Sequence, residues 1–123
     1  MPRLEGPLDL VVVDDDLGGP YPPGPSDWTR TLLGEARLGR YDGGSRVVLA
    51  FAEPRAWKGR SGFSAATRDA LANAAPGADL LVLFGHPRLL RELPTDAPVL
   101  LAWHRQRLMQ EAVGRWLLRR LAD

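Results

Sequence analysis

At 123 residues the chain falls within the usual single-domain range of about 100–200, and it reads as one domain over residues 1–123. Apolar residues make up 45% and charged residues 25%, which excludes a disordered segment, and a formal net charge of +1 offers no strong field to nucleic acid or to an anionic membrane. Cysteine is absent, which excludes disulfides, thiolate metal sites and a cysteine nucleophile.

The N-terminal MPRLEGP has no long apolar run after Arg3, and no stretch approaches the roughly 18–20 apolar residues of a membrane span. A cytoplasmic protein is therefore expected. Leu8-Asp9-Leu10-Val11-Val12-Val13 is a β-branched run ending at three aspartates, the pattern of a strand buried on both faces. The glycines and prolines of residues 18–25 force a loop. Ser26 suits a helix N-cap, and Trp28, Leu32, Leu33 and Ala36 recur at helical spacing, predicting a helix from about Asp27 to Leu38 closed by Gly39. After the turn Asp42-Gly43-Gly44, residues Arg46 to Ala52 form a second strand pattern that stops at Glu53-Pro54. A polar loop with Arg55, Trp57, Lys58, Arg60 and Gly62 leads to Ser64, which caps a helix with Ala66, Leu71, Ala72 and Ala75 on its apolar face.

Asp79 to Gly85 is a third strand pattern, and Pro87 opens a short helix through Glu92. Pro98 to Trp103 gives a fourth strand, with Pro98 tolerated as its first residue. Leu108, Met109, Ala112, Val113, Trp116, Leu117 and Leu121 then recur at intervals of three and four, the apolar stripe of the strongest helix in the chain. Apolar strands alternating with helices call for an α/β fold: a small doubly wound, mostly parallel sheet of about four strands, with right-handed crossovers and helices on both faces, in a flavodoxin-like three-layer sandwich. The expected strand order is 2-1-3-4, with the loop after strand one beside the loop after strand three. Four strands are few against an average of roughly five or six, so an open edge calls for cover from outside, a second copy of the chain among the candidates.

In an open α/β sheet ligands bind beyond the carboxyl ends of the strands. That rim collects Asp14, Asp15, Asp16, Glu53, Arg55, Trp57, Lys58, Arg60, His86 and His104 as candidates for contact with a ligand or partner. Consecutive aspartates suit a divalent cation, but they point different ways in a loop, and hydrogen bonds to a neighbouring loop are favoured over a metal. Val12-Val13-Asp14-Asp15 resembles the acidic pocket of response-regulator receiver domains, yet the phosphorylatable aspartate and the lysine that such chemistry needs are replaced by Ala52-Glu53-Pro54 and Trp103-His104-Arg105. Each histidine adjoins a strand end or a helix start, which favours capping over catalysis. The Arg55 to Gly62 loop, with Trp57 and its cations, suits a sugar better than a phosphate, because no phosphate-loop pattern is present. If it serves a ligand, Trp57 is expected to be exposed. No paired carboxyls at glycosidase separation are identifiable, and neither a metal nor a cofactor is expected.

From strand two onward, Glu53-Pro54-Arg55-Ala56-Trp57-Lys58-Gly59-Arg60-Ser61-Gly62, then Leu83-Phe84-Gly85-His86-Pro87, then Val99-Leu100-Leu101-Ala102-Trp103 and a helix with Gln110-Glu111-Ala112 carry a family likeness. The chain resembles the C-terminal α/β-sandwich domain of glycoside hydrolase family 3, in the bacterial β-N-acetylhexosaminidase branch. The family turn commonly reads Gly-Asn-Pro-Tyr, where this chain has His86 and Arg88, and the Gly-rich tail after the last helix is not found. The resemblance implies an accessory domain whose partners are a sugar or a (β/α)8 barrel, since the nucleophilic aspartate of such enzymes belongs to that barrel and is not expected here. No catalytic residue is therefore assigned. The alternative is a stand-alone flavodoxin-like binding or assembly module without a glycosidase role.

Overall fold

A computed structural model describes residue Leu4 and residues 6–15, 25–34, 44–52, 63–93 and 96–121. In chain order these form β1 (Asp9–Asp14), α1 (Trp28–Leu33), β2 (Arg46–Ala52), α2 (Ala65–Ala74), β3 (Leu80–Gly85), a 3₁₀ turn (Pro87–Glu92), β4 (Val99–Leu101) and α3 (Arg107–Arg120). The strands make one four-stranded sheet, and every pairing is parallel. Uninterrupted apolar runs suit the two central strands, β2 and β3, which are buried on both faces apart from Arg46. β1 is also an apolar run but lies at an edge, so most of it is only half-buried, contrary to the expectation of full burial.

Side-chain alternation divides the core in two. Leu10, Val47, Leu49, Phe51, Leu80, Val82 and Phe84 share one cluster with Leu33 of α1 and Val113 and Leu117 of α3. The intervening Val48, Ala50, Leu81 and Leu83 share the other with Leu71 and Ala75 of α2 and Leu89 of the 3₁₀ turn. The sheet's alternate side chains thus share one cluster with α1 and α3 and the other with α2.

The strand order corrects the expectation: it is β1-β2-β3-β4, not 2-1-3-4, so the loop after β1 neighbours the loop after β2 rather than the one after β3. The expected order followed from right-handed crossovers to helices on opposite faces, which require the chain to reverse direction across the sheet. Here the strand order does not reverse, although α1 and α2 contribute to different core clusters.

Local details also differ from the sequence pattern. The first helix starts at Trp28 with Asp27 at the N-cap and no side-chain cap, and it closes at Gly34, whose φ of 77° suits a glycine. The orphan amide of Trp28 is taken instead by the Gln110 side chain, a partner distant in sequence. Ser64 does cap α2, accepting from the Thr67 amide at 3.1 Å, and the 3₁₀ turn begins at Pro87 as anticipated. On α3 the buried stripe is Gln110, Val113, Gly114 and Leu117, while Leu108 is 75% exposed. Gly114 allows α1 to approach closely, because a Cβ there would lie 2.5 Å from Leu32 Cδ2.

Candidate functional site

All four strands point the same way, so their carboxyl ends form one rim. Beyond β1 the chain turns to the α1 face and beyond β2 to the α2 face; beyond β3 and β4 it again diverges, to the 3₁₀ turn and to α3. Divergences of this kind are where α/β sheets take ligands.

At the end of β1, strand alternation turns neighbouring aspartates apart. Asp14 faces the α3 side and receives Arg105 in a two-pronged ion pair, Nη1 to Oδ1 at 2.9 Å and Nη2 to Oδ2 at 2.5 Å. Both side chains are only 5% exposed. The guanidinium also lies 5.0 Å from the centre of the Phe51 ring, which stacks on Phe84 at 4.3 Å, so the pair closes the end of the apolar core. Asp15 faces the other way. Its Oδ1 accepts from the Ser64 amide at 3.0 Å and from the Thr67 hydroxyl at 2.6 Å, bringing a carboxylate to the N-terminus of α2.

Behind Arg105 lies Gln110, fully buried on α3. Its Nε2 donates to the Arg105 carbonyl at 2.6 Å and to the Pro25 carbonyl at 2.7 Å, and its Oε1 accepts from the Trp28 amide at 3.2 Å. The Thr29 hydroxyl donates to the Gln110 carbonyl at 2.7 Å. This clasp holds the start of α1 to α3 and fixes the backbone from which Arg105 projects.

The ends of β3 and β4 are different in kind. His86 is exposed, and its Nδ1 accepts from the Arg88 amide at 3.0 Å, leaving Nε2 to carry the proton of the neutral ring. The Trp103 ring meets it edge-on at 6.5 Å and is itself 57% exposed. His104 Nδ1 accepts from the Gln106 amide at 3.3 Å, so each histidine caps the backbone that follows it.

Among the sequence candidates, Asp14 and Asp15 are thus engaged in separate structural contacts, and His86 is brought against Trp103. Asp16, Glu53, Arg55, Trp57, Lys58 and Arg60 lie outside the described residues, as does the expected exposure of Trp57. Among the described residues no group of three or more histidines, aspartates or glutamates is placed to hold a metal ion. Sequence reasoning put Arg105 on the rim beside His104 but did not single it out as a site residue, and it did not single out Gln110 or Trp103 either. Arg105 directly follows a named candidate, and Gln110 shares helical spacing with Val113 and Leu117, so both had a faint signal. Comparison with family models, curated proteins and solved structures returned no match to this chain.

Proposed function

We propose that this chain is a non-catalytic accessory α/β-sandwich domain of the family 3 glycoside hydrolase type, cytoplasmic, whose carboxyl rim contacts a sugar in a site completed by a (β/α)8 barrel. The observation that carries the reading is Trp103, a large aromatic left 57% exposed on the carboxyl rim, its ring meeting that of an exposed histidine edge-on. Burying a large apolar side chain contributes roughly 1.5–3 kcal/mol, so an exposed ring at the place where α/β sheets bind ligands favours a contact surface over packing. An indole face suits the apolar C–H face of a pyranose, and the His86 Nε2–H is a donor for its hydroxyls. The resemblance of the Leu83 to Pro87 and Val99 to Trp103 segments supplies the family, and both segments run to the carboxyl rim. In support of a non-catalytic role, Asp14 and Asp15 are committed to Arg105 and to the start of α2.

The test is titration of chitotriose into the purified chain, alone and with a separately expressed family 3 barrel, followed by calorimetry. Binding that disappears in Trp103→Ala at unchanged thermal stability supports the reading. No binding in either mixture, a large loss of stability on that substitution, or hydrolysis of an aryl β-N-acetylglucosaminide by the purified chain alone would overturn it. The alternative, a stand-alone flavodoxin-like assembly module, draws on a separate feature, the open outer edge of β4.

A further inference from the structure

The two edges of the sheet are finished differently. On β1 the odd residues face β2, as the Asp9 and Asp15 amide bonds to Ser45 and Phe51 show, so Leu10 turns its carbonyl outward. Arg30 Nη2 donates to that carbonyl at 2.9 Å and blunts the edge. On β4, Pro98 accepts from Leu81 and Ala102 donates to Leu83, so the even residues face β3. Val99 and Leu101 therefore turn their N–H and C=O groups outward, and among the described residues no strand pairs with them. Beside this edge lies an open groove of about 160 Å³ lined by Leu100, Ala102, Met109, Ala112, Val113 and Trp116.

We propose that the β4 edge and this groove bind an extended, acidic segment of a partner polypeptide by strand addition. Outward-facing backbone groups dictate an extended chain, whose alternate side chains then fall over the groove. Charge decides the rest. α3 carries Arg107, Arg115, Arg119 and Arg120 against Glu111, Arg107 is paired with that glutamate, and the Arg120 guanidinium sits 5.0 Å over the Trp116 ring at the groove wall. Arg120, exposed and held over the groove wall, is thus placed to meet a carboxylate on the incoming strand, and the neighbouring Arg119, also exposed, adds to the positive charge at this end of α3. A second copy of this chain is disfavoured for the same reason, since two-fold pairing of β4 with itself sets two basic α3 helices side by side.

The probe is a blocked heptapeptide alternating glutamate and valine, with a lysine–valine peptide as control, measured by calorimetry and by hydrogen exchange at the Val99 and Leu101 amides. The glutamate peptide is expected to bind at least tenfold tighter than the lysine peptide and to protect the Leu101 amide. Leu101→Pro removes an outward donor without touching the β3 ladder and should weaken binding at least tenfold. Arg119→Gln with Arg120→Gln should abolish the preference for glutamate over lysine while thermal stability stays unchanged, so this variant decides the matter if the proline variant melts early. Equal affinity for the two peptides, protection absent from Leu101, or concentration-dependent dimerisation of the chain that Leu101→Pro abolishes would overturn the proposal.

Discussion

Replacing Arg105 with Met leaves the Asp14 carboxylate in a site where its side chain is 5% exposed and its two charged donors are gone. Removing one partner of a buried ion pair costs about 3–5 kcal/mol, because the surviving charge keeps its desolvation penalty and loses its compensation. Against a total stability of about 5–15 kcal/mol for a domain, the variant should be marginal at room temperature. Asp14→Leu should cost a similar amount for the mirror-image reason. The double variant, Asp14→Leu with Arg105→Met, replaces the pair by apolar groups at the end of the Phe51–Phe84 stack and should lie within about 2 kcal/mol of the parent. Arg105→Lys should fall between, since an ammonium keeps the charge but not the two-pronged geometry. Urea unfolding followed by circular dichroism measures all four, with an unchanged denaturant slope confirming that the compactness of the states is the same. A cost below about 1 kcal/mol for either single variant, or additivity of the two in the double, would refute the assignment of Asp14 as a structural carboxylate.

Gln110→Leu removes the partner of the Trp28 amide and of the Pro25 and Arg105 carbonyls, and should cost about 3 kcal/mol by thermal unfolding; Gln110→Glu should be no better, because a carboxylate cannot donate. Gly85→Ala drives a Cβ into the Ala52 backbone carbonyl on the paired strand, and a loss of about 2–3 kcal/mol is expected, with faster hydrogen exchange along β2 and β3. Gly114→Ala gains about 1 kcal/mol of helix propensity but meets Leu32, so over-packing of about 1–3 kcal/mol should prevail. In a Leu32→Ala background the 2.5 Å contact is gone and only the Leu32 Cβ at 3.2 Å remains, so the cost of Gly114→Ala should shrink, which calorimetric melting of both pairs would show.

The legible parts of this protein are those set by neighbours in sequence. Arg46–Ala52 forms the strand that its apolar run predicts, Ser64 caps α2 through its own Oγ, and Pro87 opens the short turn through Glu92, because each depends on contacts within a few residues. The rim as the place to look was also legible, since an all-parallel sheet gathers its carboxyl ends on one side. The histidines' capping role followed from their position next to a strand end or a helix start, and the structure bears it out.

What the tertiary structure alone decided begins where partners are far apart in the chain. Asp14 and Asp15 are chemically identical neighbours, and only the pleat and the helices on each face make one the partner of Arg105 and the other the partner of Thr67. Gln110 is a polar residue at the helical spacing of Val113 and Leu117, and it is fully buried because the start of α1 brings an orphan amide and a carbonyl that its side chain satisfies at once. Leu108 reads as core and is exposed for the converse reason: the stripe that faces the sheet is centred on Val113 and Leu117, one step around the helix. Strand order was not written locally at all. A run such as Asp9–Asp14 specifies a strand by its side chains, but hydrogen bonding uses the same backbone groups in every strand, so its place at the edge beside β2, rather than between β2 and β3, is decided by contacts distant in sequence.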